Sequence, residues 1–260
     1  HIALAAVATL CAGAAAAQSN VEIYGRMNLS VERQKTDGNS TGVMENNASR
    51  IGFRGTEDLG GGLKAGFVLE HGFEADTGSI QRDSNGNPRA FWARQSELNL
   101  SGGFGMLRLG NYTSEAYFAT ADYVSMHNHD TGTSADRLYA YLDRDTNKIA
   151  YRTPDINGLT VEGAVSLRED VGEYTYDVAA NYNIGALALG AGYQANGDQN
   201  QVALRALYTM GDFTFGGYVQ RDEDVYASGS RTNLRLSGMY TMGASEFHLN
   251  VGMADEYSDV

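Results

Sequence analysis

Apolar and polar residues alternate along almost the whole chain, and a period of two is the period of a β-strand. In residues 21–32 the odd positions are Val21, Ile23, Gly25, Met27, Leu29 and Val31, and the even ones are Glu22, Tyr24, Arg26, Asn28, Ser30 and Glu32. The division returns in Ile51 and Phe53 against Arg50 and Arg54, in Tyr176 and Val178 against Thr175 and Asp177, and in Leu234 and Leu236 against Asn233 and Arg235. About thirteen such runs of roughly 8–13 residues can be counted. Short turns such as Gly60-Gly61-Gly62, Gly102-Gly103 and Met210-Gly211-Asp212 take turns with longer polar segments at 35–47, 76–88, 111–146 and 222–231. That is the rhythm of hairpins joined at the two ends of one closed sheet.

Two architectures carry this pattern. A soluble β-sandwich or lipocalin-like barrel turns its apolar face inward; a membrane barrel turns it out to lipid and its polar face to a lumen. Strand number separates them. A barrel of about eight strands is filled by its own side chains, whereas about thirteen leave a bore that apolar side chains cannot fill. The runs suit a tilted bilayer crossing of about 9–11 residues, and a sheet in lipid must close to pair its backbone. The expected fold class is all-β, an antiparallel transmembrane β-barrel. Such barrels usually have an even strand number, and the chain stops at Tyr257-Ser258-Asp259-Val260 without a terminal aromatic. We expect truncation at the C-terminus, with about sixteen strands in the full protein and about thirteen of them here, a size that leaves an aqueous channel.

Residues 1–17, HIALAAVATLCAGAAAA, are apolar and uncharged and end in alanines before Gln18-Ser19-Asn20. They read as a signal peptide, incomplete at its N-terminus, with cleavage after Ala17; residues 18–260 are then the barrel. One rival is a lipoprotein signal lipidated at Cys11, although Leu10 stands where a small residue is expected; another is a buried Ala-rich helix. Cleavage after Ala17 discards the only cysteine and with it thiol chemistry. The 19 basic and 32 acidic side chains give a net charge of −13, which argues against a nucleic-acid partner.

Several stretches resemble a known family, the trimeric general porins of Gram-negative outer membranes, especially its neisserial and Burkholderia-type branch. They are VEIYGR at 21–26, ASRIGFRGTEDLGGGLKAGF at 48–67, LNLSGGFG at 98–105, LRLGN at 107–111 and IAYRTP at 149–154. The second is the most specific. The resemblance implies a sixteen-stranded homotrimeric barrel, exported through the periplasm and seated in outer-membrane lipid and lipopolysaccharide. It implies passive diffusion of small hydrophilic solutes and ions, with no cofactor and no catalysis. It also implies a long third loop folded into the lumen as a constriction, with loop acids facing a ladder of wall arginines.

Residues 111–146 form the longest connection and are the candidate constriction loop; a loop this long in a compact fold is usually functional. Its candidate acids are Glu115, Asp122 and Asp136, with Asp130, Asp143 and Asp145 also present. The candidate wall arginines are Arg26, Arg50, Arg54 and Arg108 on the polar parity, and Arg94. The resemblance places Arg50 and Arg94 at wall-arginine positions, although Arg94 shares the parity of Leu98 and Leu100, which requires a bulge. Opposed rows of charge across a narrow wet gap set up a transverse field, and charged rings bias which ions pass. The net charge leans toward cations and the arginines lean the other way; on balance a cation preference is expected.

Other readings are weaker. A solute-specific porin with an aromatic binding track is the alternative function. An outer-membrane barrel enzyme or adhesin is a further one, but no Ser–His pair stands at compatible spacing. His127-Asn128-His129-Asp130 has metal-like composition without a fourth ligand. Tyr24, Tyr151, Tyr182, Tyr193, Tyr208 and Tyr240 suit an interfacial aromatic girdle.

Overall fold

A computed structural model describes residues 20–36, 38–83, 85–126, 135–142, 145–169 and 172–258. The segment read as a signal peptide, and the histidine cluster at 127–130, lie outside the described residues.

Among the described residues there are sixteen strands: β1 Asn20–Arg26, β2 Leu29–Thr36, β3 Asn39–Asn46, β4 Arg50–Gly60, β5 Leu63–Glu74, β6 Ser79–Ile80, β7 Gln95–Gly102, β8 Gly105–Asn111, β9 Lys148–Arg152, β10 Leu159–Ser166, β11 Thr175–Ile184, β12 Leu187–Asn196, β13 Gln199–Met210, β14 Phe213–Glu223, β15 Ser230–Met242 and β16 Ser245–Ala254. Thirteen of them follow one another in a single antiparallel sheet, β1-β4-β5-β7 and then β8 to β16 in chain order. Neighbours in space are thus neighbours in sequence once two short additions are set aside. Among the described residues β1 and β16 are the ends of the path and do not pair with each other.

One addition is the β2–β3 hairpin, which prolongs β1 and β4 beyond a break where Asn47 N donates to Asn28 O at 2.8 Å. From the sequence, 21–32 is expected to be one run and 35–47 a polar connection; the structure breaks the run after Arg26 and pairs Leu29–Thr36 with Asn39–Asn46. The outer part of the hairpin, 33–42, is polar or glycine at both parities and so shows no alternation. The other addition is β6, which pairs β5. The turn at 60–62 needs its glycines: three successive residues have φ of +85°, +61° and +82°, where a Cβ would be strained.

The sheet is inside out relative to a soluble protein. Ile23, Leu204 and Leu236 are 68%, 56% and 55% exposed. On the opposite face Gln194, Gln201, Gln220 and Asp222 are fully buried. They are covered by residues 112–126 and 135–142, which lie against the inner wall and supply most of the buried apolar residues among those described, including Ala116, Ala119, Ala121, Val124, Tyr139 and Leu142. No helix among the described residues is long and apolar enough to cross a membrane.

Tyr24 is a correction to the girdle reading. Its even position puts it on the polar face, where its hydroxyl donates to Glu70 Oε2 at 3.0 Å and its ring lies 5.0 Å from the Arg54 guanidinium. Tyr193 and Tyr208 do stand on the exposed face.

Candidate functional site

Among the described residues of the long connection between β8 and β9 there is one short helix, α1 Glu115–Thr120, followed by 3-10 turns at Asp122–Ser125 and Ala135–Leu138. Ser114 caps α1, its side-chain oxygen accepting from Tyr117 N at 3.4 Å. Asp177 Oδ1 on β11 accepts from Ala116 N at 3.1 Å, so a wall carboxylate takes up one unpaired amide of the first turn. The helix sits directly on β12 because Gly190 and Gly192 leave room: a Cβ there would fall 1.9 Å from Ala119 O and 2.7 Å from Ala116 O. Glycine inside a strand often marks such a close backbone approach.

Ion pairs fasten the same end of the loop to the wall. Arg108 on β8 reaches Glu97 on β7 and Glu162 on β10, both at 2.9 Å, and Glu115 at 3.6 Å. Its guanidinium lies 4.1 Å from the centre of the Tyr112 ring. Arg152 pairs with Glu162 at 2.8 Å and also with Glu115. Lys148 Nζ binds Asp145 at 2.7 Å and donates to Tyr112 O at 3.0 Å. Glu115 is pushed up to about 7 from its ordinary 4.5, first by burial and then by the nearby Glu162 charge, against the pull of Arg152 and Arg108.

The returning arm is held differently, by amides. Gln220 on β14 grips the backbone of Ala140 twice, Oε1 accepting from Ala140 N at 2.7 Å and Nε2 donating to Ala140 O at 2.8 Å. Gln201 and Asn233 hold that amide in turn, at 3.0 and 2.7 Å. Arg231 donates to Leu138 O at 3.0 Å while pairing with Asp222 at 3.2 Å. Here burial pushes the Tyr139 and Tyr141 phenols well above 10.

Between the loop and the wall of β4 and β5 lies a cavity of about 940 Å³. Arg50, Glu70 and Arg94 line it on the wall side, and Tyr117, Phe118 and Asp122 on the loop side. Arg94 Nε donates to Glu70 Oε1 at 2.6 Å, and Arg50 Nε lies 3.8 Å from the same oxygen. Arg26 is within electrostatic reach of Arg94, Glu70 and Asp122.

A family model described as Gram-negative porin matches residues 3–260. The chain belongs to the Gram-negative porins. It is 33% identical to outer membrane porin protein 32 of Delftia acidovorans, over 84% of this chain and 68% of that protein. It is 28% identical to the major outer membrane protein P.IB of Neisseria meningitidis, over 75% of this chain and 60% of that one. The solved structure of the anion-selective porin from Comamonas acidovorans superposes with a TM-score of 0.75 at 25% identity, covering 92% of this chain and 79% of its own. The porin is thus an outer-membrane β-barrel and a channel rather than an enzyme.

Within this porin the candidate residues fall into three places. Arg50, Arg94 and Asp122 meet at the cavity, with Arg26 beside them. Arg94 precedes the first residue of β7, Gln95, so strand parity does not govern where it points and no bulge is required. Arg108 and Glu115 are joined to each other within the buried anchoring network. Arg54 stands apart, half exposed, 2.8 Å from Glu22. The side chain of Asp136 lies outside the described residues. Sequence reasoning did not single out Glu70, the amides around Gln220, or Gly190 and Gly192. The two glycines on the inner parity of one strand were the available signal.

Proposed function

We propose that residues 111–146 form the constriction of a general diffusion porin, and that Arg26, Arg50 and Arg94 face Asp122 across it. The observation that carries this reading is the shared cavity: wall arginines and a loop carboxylate border the same water-accessible space. The porin passes small hydrophilic solutes and works as a homotrimer in contact with lipid and lipopolysaccharide; these points rest on kinship with the family. Residues 1–17 serve as its export signal.

The selectivity we propose is anionic. The net charge of −13 suggests the reverse, but exposed charges farther than about 8–10 Å are screened at physiological salt. Around the cavity Arg26, Arg50, Arg89 and Arg94 outnumber Glu70, Asp122 and Asp145 by one. The similarity to a solved porin named as anion-selective supports this. Reversal potentials of the full-length porin in planar bilayers under a potassium chloride gradient test it. The wild type should favour chloride, and the double variant Arg50→Gln with Arg94→Gln should move toward potassium. An unchanged reversal potential overturns the placement of these arginines at the constriction.

A further inference from the structure

One wall of the cavity is built of aromatic rings. Tyr117 is the hub: its ring centroid lies 5.6 Å from those of Phe118, Tyr139 and Tyr141. The two tyrosines among these neighbours are also held by hydrogen bonds. Tyr139 shares a hydrogen bond of 3.1 Å with Thr120, and the Tyr141 hydroxyl donates to Asp145. Tyr226, from the β14–β15 connection, joins the same lining; its hydroxyl donates to Tyr139 O at 3.3 Å and accepts from Tyr141 N at 3.1 Å. Only Tyr139 is buried in the packed core beneath the loop; Tyr226 is exposed and Tyr117 and Phe118 are partly so. A cluster of phenyl and phenol rings, set edge to face or tilted around Tyr117, therefore borders the cavity.

The facing wall carries the guanidinium groups. Arg94 spends Nε on Glu70 at 2.6 Å, and that carboxylate is its hydrogen-bond partner among the described residues, so its two η-nitrogens keep their donors. Guanidinium is the side chain whose planar fork fits a carboxylate in a bidentate manner. A passing solute thus meets ring faces on one side and paired N–H donors on the other. A neutral sugar would use the rings but not the charge; a small aliphatic anion would use the charge but not the rings.

We propose that this cavity is a binding subsite for aromatic carboxylates, with the ring of the solute against the Tyr117–Phe118 rings and its carboxylate on Arg94. The proposal deepens the reading of 111–146 as the constriction and rests on it. Occupancy is brief and weak, in the millimolar range of about 1 mM upward that suits a site on a transport path. The ring should add about tenfold to the affinity of a bare carboxylate, as a single stacked aromatic contact does.

The test is single-channel current through the full-length porin in planar bilayers, with benzoate, acetate or benzyl alcohol added. Benzoate should interrupt the current at about tenfold lower concentration than either control. Phe118→Ala and Tyr226→Ala should bring benzoate down to the level of acetate without altering the effect of acetate. Arg94→Gln should weaken benzoate and acetate together. Tyr226→Ala alters an exposed residue, so it remains informative if Phe118→Ala misassembles. Equal potency of benzoate and acetate overturns the aromatic subsite while leaving the constriction intact. Equal potency of benzoate and benzyl alcohol overturns the role of Arg94. If neither blockers nor reversal potentials respond to the arginine changes, the constriction itself is misplaced and the subsite falls with it.

Discussion

At the scale of single residues the inner wall reverses the usual economy of a protein interior. Buried groups there include carboxylates, guanidiniums and amides, and pairs such as Arg108 with Glu162, Asp177 with Ala116 N and Gln220 with Ala140 answer them from the loop or a neighbouring strand. Glu115 shows the strain in this arrangement. It touches Arg152 and lies 3.6 Å from Arg108, yet burial outweighs both and holds its carboxyl near 7. Between about 4.5 and about 7 the folded porin keeps a proton that the unfolded chain has released. Its contribution to stability is therefore full below 4.5 and is lost as the pH rises through 7. Thermal unfolding in detergent should show the wild type losing ground to Glu115→Gln, which is permanently neutral, as the pH is raised from about 5 to about 8. Parallel curves for the two proteins would refute the assignment.

Secondary-structure elements were unequally legible. The strands announced themselves because both of their faces carry information: Val178 and Tyr176 to lipid, Asp177 and Thr175 to the wall's inner side. Helix α1 did not, because six residues are too few for a helical period to emerge. The outer part of the β2–β3 hairpin was hidden for a different reason: 33–42 is polar or glycine at both parities, so no alternation marks it. Arg50, Arg94 and Asp122 were reachable only through the resemblance, whereas the grip of Gln220 on Ala140 joins residues 80 apart and no local pattern could reveal it. The seat of α1 offers a test of how tightly the element is placed. Gly192→Val puts a branched side chain where Ala116 already stands, and overpacking of this kind typically costs about 1–3 kcal/mol. The helix must then move away from β12 into the bore, so single-channel conductance should fall. Gly238→Val, at a position where an added Cβ meets nothing within 4 Å, should leave the conductance unchanged.

For the whole molecule, the outward apolar face is the feature on which insertion depends. Leu204 sits at the middle of β13 and is 56% exposed. Leu204→Arg should cost about 2–4 kcal/mol if that position lies at the bilayer midplane, read as a shifted denaturant midpoint for refolding into liposomes. No shift would mean that this face does not meet lipid. The two kinds of charge inside the barrel have different fates when the surroundings turn salty. Pairs such as Arg108 with Glu162, sealed between loop and strand, are out of reach of dissolved ions. Those bordering the open passage are bathed in them. A cell carried from fresh water to brine therefore keeps the gauge of its sieve, while the field of the charges along the passage fades.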